Sequence, residues 1–343
     1  MLCSCGDPGQ TVWFLEWVPW ALGHGHNPFL TQSMFAGQGG ANLLESTSYL
    51  LQSFLLSPVT VAFGPTAAFN VSLALAPVVS GWCMFLASRR LASSWLAQAA
   101  AAVLWGYSPF VISSEIFGHL DLTLLFFPPL LFVCLFELCG SDRRSPRVVG
   151  LWLGLLVVAQ FFAGTELLAL TTLMAVVGLV VAAALNPRLV RQRFKRISTG
   201  FGVAAGVAAC ALAYPGWMLL AGPRHIVGAP WPGIGALASE LGSTVKPGSV
   251  HISSAFLNAG GYYGPAGPDA AYLGWPLLIF VAVSAVVWGR KRLAWTLVAV
   301  GAAAWLCSLG TLLLPFAGDS KQWWLPWQYL QHLPLVGSIG PTR

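Results

Sequence analysis

Eleven carboxylates and six histidines are spread over 343 residues, and they fall into a few small groups. Asp7 opens the stretch Gly6-Asp7-Pro8-Gly9-Gln10, which runs on into Trp13-Phe14-Leu15 and Trp17. A carboxylate there can take the proton of an attacking hydroxyl, or lend a charge to a divalent cation such as Mg or Mn. The plainer account of Asp-Pro-Gly is a turn or a helix cap. His24-Gly25-His26 offers two imidazoles without a third ligand at a defined spacing, which reads as a polar turn.

Glu115-Ile116-Phe117-Gly118-His119-Leu120-Asp121 lies between two apolar runs. If helix persisted through it, Glu115 and His119 would share a face at i, i+4. Ionisable groups at membrane depth are costly and therefore candidates for function, so His119 and Asp121 join Asp7 as candidate catalytic residues. Glu166 is the fourth, in the three-residue link Gly164-Thr165-Glu166 between two apolar runs. Its alternative is a first-turn carboxylate favoured by the helix dipole. Arg224, beside His225, and Arg343 are candidate phosphate ligands, or anchors for lipid headgroups.

These groups need elements to hold them, and the composition says which kind. Charged residues are 8% of the chain and hydrophobic residues 57%. Mean hydropathy is +0.73. Charge this sparse cannot solvate a soluble globule, where about 25% is usual. Soluble enzyme folds, nucleic-acid binders and secreted disulfide scaffolds are excluded. Seven cysteines, an odd number with no metal spacing, do not make a disulfide framework.

A membrane span needs ~20 mostly apolar residues. The apolar runs predict eight, near 66–88, 92–113, 120–139, 148–163, 167–186, 198–221, 273–289 and 293–316. The runs are continuous rather than alternating, so the fold class is all-α, a polytopic transmembrane helical bundle. The predicted organisation has five parts. Residues 1–65 are an external amphipathic or re-entrant segment carrying the Asp7 motif, with Trp13, Trp17 and Trp20 at headgroup level. Residues 66–221 form a six-span core and 222–272 an external loop rich in Gly, Pro and aromatics. Two spans follow over 273–316, then an external tail over 317–343.

Loops at 89–91, 140–147, 187–197 and 290–292 hold 13 of the 17 Lys and Arg. The eight spans place them all on one side, which the positive-inside rule makes cytoplasmic. Nine of the eleven acids then fall on the outer side, several at span borders. That gathering points to an outward-facing polar site in a multi-pass protein of the cytoplasmic membrane.

Gly6-Asp7-Pro8 with Gln10, Trp13-Phe14-Leu15 with Trp17, and His24-Gly25 with Asn27-Pro28-Phe29 form an opening block. Asn42-Leu43, Gly118-His119-Leu120, Thr165-Glu166, Tyr272-Leu273-Gly274 and Pro341-Thr342-Arg343 follow it. Together they resemble the actinobacterial integral membrane glycosyltransferases of the C-type superfold. The resemblance implies a polyprenyl-phosphate-sugar donor, a glycan, lipid or protein acceptor, membrane lipid as surroundings, and chemistry on the outer face. It implies that Asp7 matches the central acid of the first external loop, as base or as ligand of a divalent cation. Arg224 and Arg343 would bind the donor phosphate, and nucleic acid is not expected as a partner. The family also carries a helix before that acid and continues past the last motif. An upstream span before Met1 and further chain after Arg343 are therefore expected. Rival readings are a transporter or flippase for a lipid-linked or anionic solute, and a catalytically inactive scaffold. A transporter should carry ionisable groups near mid-membrane in broken helices.

Overall fold

The computed structural model describes residues 6–46, 49–226, 241–246, 272–289, 291–311 and 325–332. The Asp7 side chain, Arg343 and most of the 222–272 loop and the 317–343 tail lie outside the described residues. The chain divides into two units, residues 1–168 with 193–230, and residues 169–192 with 231–343.

The first unit begins with α1 (Gly6–Gly23), followed by a two-residue antiparallel pair, β1 (Leu30–Thr31) and β2 (Ala41–Asn42), that sets Leu30 opposite Asn42. Two short helices come next, α2 (Leu50–Leu55) and α3 (Ser57–Phe63). The long apolar elements are α4 (Pro65–Ser88), α5 (Trp95–Gly106) with α6 (Pro109–Phe117), α7 (Leu120–Thr123) with α8 (Phe127–Gly140), α9 (Pro146–Ala163), α10 (Thr165–Leu185) and α11 (Pro187–Ala221). Helix α10 starts in the first unit and continues into the second, and α11 does the reverse.

Among the described residues, six runs are long and apolar enough to cross a membrane: 65–88, 95–115, 120–140, 146–163, 165–185 and 187–221. They match the first six expected spans. The seventh and eighth expectations correspond to shorter apolar helices, α12 (Gly274–Val287) of 14 residues and α13 (Arg292–Ser308) of 17 residues. Glycine at positive φ ends α13, since Gly310 has φ +77°.

Local sequence explains the helix boundaries. Proline stands at the start of α4, α6, α8 and α9, where its missing N–H costs nothing. Ser108 and Ser145 cap α6 and α9, their Oγ atoms accepting from the backbone N–H of Val111 and Val148 at 3.4 Å. The second and third spans are each interrupted, at 107–108 and 124–126. The carbonyl of Leu125, freed by the second interruption, accepts from Trp105 Nε1 at 2.9 Å. A neighbouring span thus meets the hydrogen-bonding demand of the broken one.

Helix packing relies on small residues that let backbones approach. Gly81 of α4 faces Ala102 of α5, and Gly106 sits against the backbone carbonyl of Pro77. Gly150 of α9 meets the backbone of Gly200 on α11, and Gly154 meets Ala204 and Val207. The main core of the unit gathers around α1. Its Phe14, Leu15, Val18 and Ala21 are buried with Leu43, Leu44, Leu50, Phe69, Leu73 and Met218, while Trp20 on the other face and Leu22 in the last turn stay exposed.

One end of the first unit is rich in arginine. Glu137 near the end of α8 is buried and pairs with Arg90 Nη2 at 2.7 Å. Arg196 of α11 donates to the backbone carbonyl of Arg144 at 2.6 Å. Arg193 grips Asp142 with two hydrogen bonds, at 3.0 and 2.7 Å. The Arg193 hydrogen bond holds the Asp142 carboxyl below the usual carboxylate range, with the charges of Arg193 and Arg196 adding to it.

In the second unit, Cys307 of α13 and Trp327 of α14 (Trp327–Leu330) pack with Leu170, Leu173 and Met174 of α10. Trp305 Nε1 donates to Thr244 Oγ1 at 3.0 Å, and the Thr244 carbonyl accepts from the N–H of Leu273 at 3.0 Å.

Candidate functional site

The corner between α6 and α7 carries the first site residues. Helix α6 ends at Phe117 because Gly118 takes the left-handed conformation, φ +73°. The i, i+4 face expected to join Glu115 and His119 is therefore interrupted. His119 becomes the residue before α7, and Asp121 falls in its first turn. Asp121 is 6% exposed. Its Oδ1 accepts a hydrogen bond from the Tyr49 hydroxyl at 3.3 Å. Tyr49 precedes α2 with a left-handed backbone, φ +48°, which is uncommon for a bulky residue.

The corner between α9 and α10 carries Glu166. The expected three-residue hairpin is tighter than its sequence implied. Helix α9 runs to Ala163, Gly164 alone makes the connection, and Thr165 and Glu166 already belong to the first turn of α10. A carboxylate there is favoured by the exposed N–H groups and the dipole of the helix. Gly164 also lies against Asp121: a β-carbon added to it would sit 3.6 Å from the Asp121 Cβ, an ordinary contact.

These corners meet at a cleft of about 30 Å³ lined by Leu44, Ser46, Tyr49, Asp121, Phe161, Phe162, Gly164, Thr165 and Glu166. That volume accommodates about one or two water molecules. A hydroxyl group fits it and a whole sugar ring does not. Two carboxylates, two hydroxyl residues and a tyrosine thus surround a space of hydroxyl size, with two phenylalanines beside them. The cleft lies at the end of the 120–140 run opposite the arginines around Glu137.

The start of α1 belongs to the same neighbourhood. Pro8 packs so closely on Gly118 that a β-carbon there would lie 2.6 Å from Pro8 Cγ. Gln10 Nε2 donates to Ser46 Oγ, on the cleft, at 3.3 Å. The backbone of Asp7 is therefore beside the corner that carries Asp121.

Arg224 and His225 stand where α11 ends. Arg224 has φ +60°, and its Nη1 donates to the Thr31 carbonyl at 3.4 Å. His225 Nδ1 lies 2.9 Å from Glu45 Oε1 and 3.1 Å from the Leu219 carbonyl. Asn42 supports this junction by donating to the Met218 carbonyl at 2.7 Å.

Of the residues singled out from sequence, Asp121 and Glu166 come together on one cleft. His119 is adjacent but not among the lining residues. Among the described residues, no group of three or more His, Cys, Asp or Glu is placed to hold a metal ion. Tyr49 and Ser46 were not singled out. Each is a lone polar residue without a motif, and only the fold brings them to the carboxylates, while Gln10 belongs to the opening block and reaches Ser46. No family model matches the chain, and no curated protein or solved structure matches it.

Proposed function

We propose that this protein is a membrane glycosyltransferase of C-type architecture, with about eight spans. It moves a sugar from a polyprenyl-phosphate donor to a cell-envelope acceptor on the outer face of the cytoplasmic membrane. The observation that carries the reading is the convergence of Asp121 and Glu166 on a hydroxyl-sized cleft, beside the start of the Asp7 helix.

In this reading the acceptor hydroxyl enters the cleft and the sugar ring stays at its rim. The acceptor oxygen attacks the anomeric carbon as the bond from that carbon to the phosphate oxygen breaks. The hydroxyl proton passes to a carboxylate, which a base within hydrogen-bonding reach can accept at neutral pH. We assign that base to Asp7, and hydroxyl orientation to Asp121 and Glu166, with His119 nearby. The leaving polyprenyl phosphate carries the negative charge, which Arg224 and Arg343 neutralise. The described residues do not supply a three-ligand set for Mg or Mn, so no step is assigned to a cation.

The interrupted helices favour a second reading, transport of a lipid-linked or anionic solute. Against it, the interruption at 124–126 contains no ionisable residue, and Trp105 already occupies the Leu125 carbonyl.

The test is transfer of labelled sugar from a polyprenyl-phosphate donor in membranes containing the protein. Asp7→Asn keeps size and turn preference but removes the base, so transfer is expected to fall by about 10²- to 10⁴-fold with unfolding temperature unchanged. Wild-type turnover in folded Asp7→Asn protein removes Asp7 from the mechanism. No transfer by the unaltered protein with any polyprenyl-phosphate sugar removes the enzyme reading itself.

A further inference from the structure

We propose that the arginine-rich end of the first unit is a binding site for the headgroups of anionic phospholipids. It is independent of the sugar-transfer reading and concerns the opposite end of the spans. Three chain segments converge there: the end of α4, the α8–α9 connection and the first-unit part of α11. Arg90 reaches Glu137 across the first pair, and Arg196 reaches the carbonyls of Glu137 and Arg144 across the second.

The charges form two layers. In the inner layer, Glu137 and Asp142 are engaged by Arg90, Arg193 and Arg196, with Arg144 Nε at 4.0 Å from Glu137. Both carboxylates of this layer are ion-paired by its own arginines, although Glu137 Oε1 accepts no hydrogen bond among the described residues. In the outer layer, Arg89, Arg143, Arg147 and Lys195 are exposed, and none of them makes an ion pair among the described residues. Eight basic side chains thus face two acids, leaving a surplus of six positive charges on one small surface. Even within the inner layer Arg196 keeps a donor in hand, since its buried Nε–H has no acceptor among the described residues.

The surroundings select the partner. This surface caps helices that are apolar enough to cross a membrane, so the outer layer lies at headgroup depth. Phe194, 66% exposed, sits between Arg193 and Lys195, and Trp95, 68% exposed, opens the next span. Aromatic rings beside cations are the usual makeup of a membrane interface. Guanidinium groups match phosphate geometry, and basic residues at such a surface attract anionic lipid. The inner-layer ion pairs tie the end of α4, the α8–α9 connection and α11 together, which brings the outer charges onto one surface. A phosphodiester headgroup such as that of phosphatidylglycerol neutralises them without a protein partner.

The protein reconstituted in nanodiscs of equimolar phosphatidylcholine and phosphatidylglycerol provides the test. Lipids retained after gentle extraction are counted by native mass spectrometry, and the unfolding midpoint is compared with pure phosphatidylcholine nanodiscs. The unaltered protein should retain phosphatidylglycerol over phosphatidylcholine and unfold at higher temperature in the mixed discs. Combined Arg143→Gln, Arg147→Gln and Lys195→Gln substitutions alter exposed side chains without ion pairs. They should lower the retention ratio by about fivefold per charge removed and abolish the thermal shift. Arg143→Lys with Arg147→Lys keeps the charge and should keep most of both effects. An unchanged ratio and shift in the triple Gln variant would falsify the proposal. So would an equal thermal shift from inorganic phosphate added to phosphatidylcholine discs, because the surface would then recognise free phosphate rather than lipid.

Discussion

Asp142 and Asp121 show how differently two aspartates of one chain are used. Asp142 is exposed and is gripped by Arg193 at 2.7 Å and approached by Arg196 at 3.6 Å, so its carboxyl loses its proton more readily than a free aspartate does. A depressed value in the folded state stabilises the fold above the unfolded value, about pH 3.9, and that contribution is lost as pH falls through the folded value. The stability difference between the unaltered protein and Asp142→Asn should therefore be constant above about pH 4 and shrink below it. Its size will be small, since the pair is screened by solvent. Thermal unfolding of the two proteins between neutral and acid pH measures it, and a difference that grows toward acid pH contradicts the assignment. Asp121, by contrast, is buried and bonded to Tyr49. The sequence already marked Asp121 and Glu166 as suspicious, because carboxylates at span borders need a reason. It could not mark Tyr49 or Ser46. Hydroxyl residues in a polar stretch carry no signal until a fold turns them toward a cleft.

At the scale of elements, long apolar runs were readable because a bilayer permits little except helix, and six helices match expected spans. Glu115 and His119 did not end up on one face, because one left-handed glycine stops α6 between them. The role of α1 was also hidden, since a Trp-rich stretch reads alike whether it packs on lipid or on α2, α3 and α4. Contact between helices is equally invisible in composition, and glycines illustrate this with opposite expectations. A β-carbon on Gly154 of α9 would lie 2.8 Å from Val207 Cβ and 2.9 Å from the Ala204 carbonyl. A β-carbon on Gly206 of α11 would meet nothing within 4 Å. Gly154→Ala should force α9 and α11 apart and destabilise by about 1–3 kcal/mol. Gly206→Ala should be neutral or stabilise by up to about 1 kcal/mol, through helix propensity alone. Unfolding in mild denaturing detergent compares the two. Equal effects of both substitutions would mean that α9 and α11 do not approach at those positions.

The first unit has a direction: Arg90, Arg193 and Arg196 gather at one end of its spans, and Asp121 and Glu166 meet at the other. Each membrane crossing reverses the chain, so a charge bias that persists through the eight expected spans is a property of the array rather than of any loop. The 13-to-4 division of Lys and Arg predicts that the arginine-rich end faces the cytoplasm, since translocation of short basic loops is disfavoured. The proposed chemistry depends on the same orientation, because Asp121 and Glu166 must then open to the outer face, where a polyprenyl-phosphate sugar would be presented. A single cysteine placed at Arg143 or Asn258, in a background whose native cysteines are replaced, tests this in intact cells. An impermeant maleimide should label position 258 and spare position 143 until the membrane is permeabilised. Labelling at 143 with protection at 258 would invert the array. The cleft would then face the cytoplasm, where soluble nucleotide sugars rather than lipid-linked ones are the accessible donors, and the outer-face reaction would have no site.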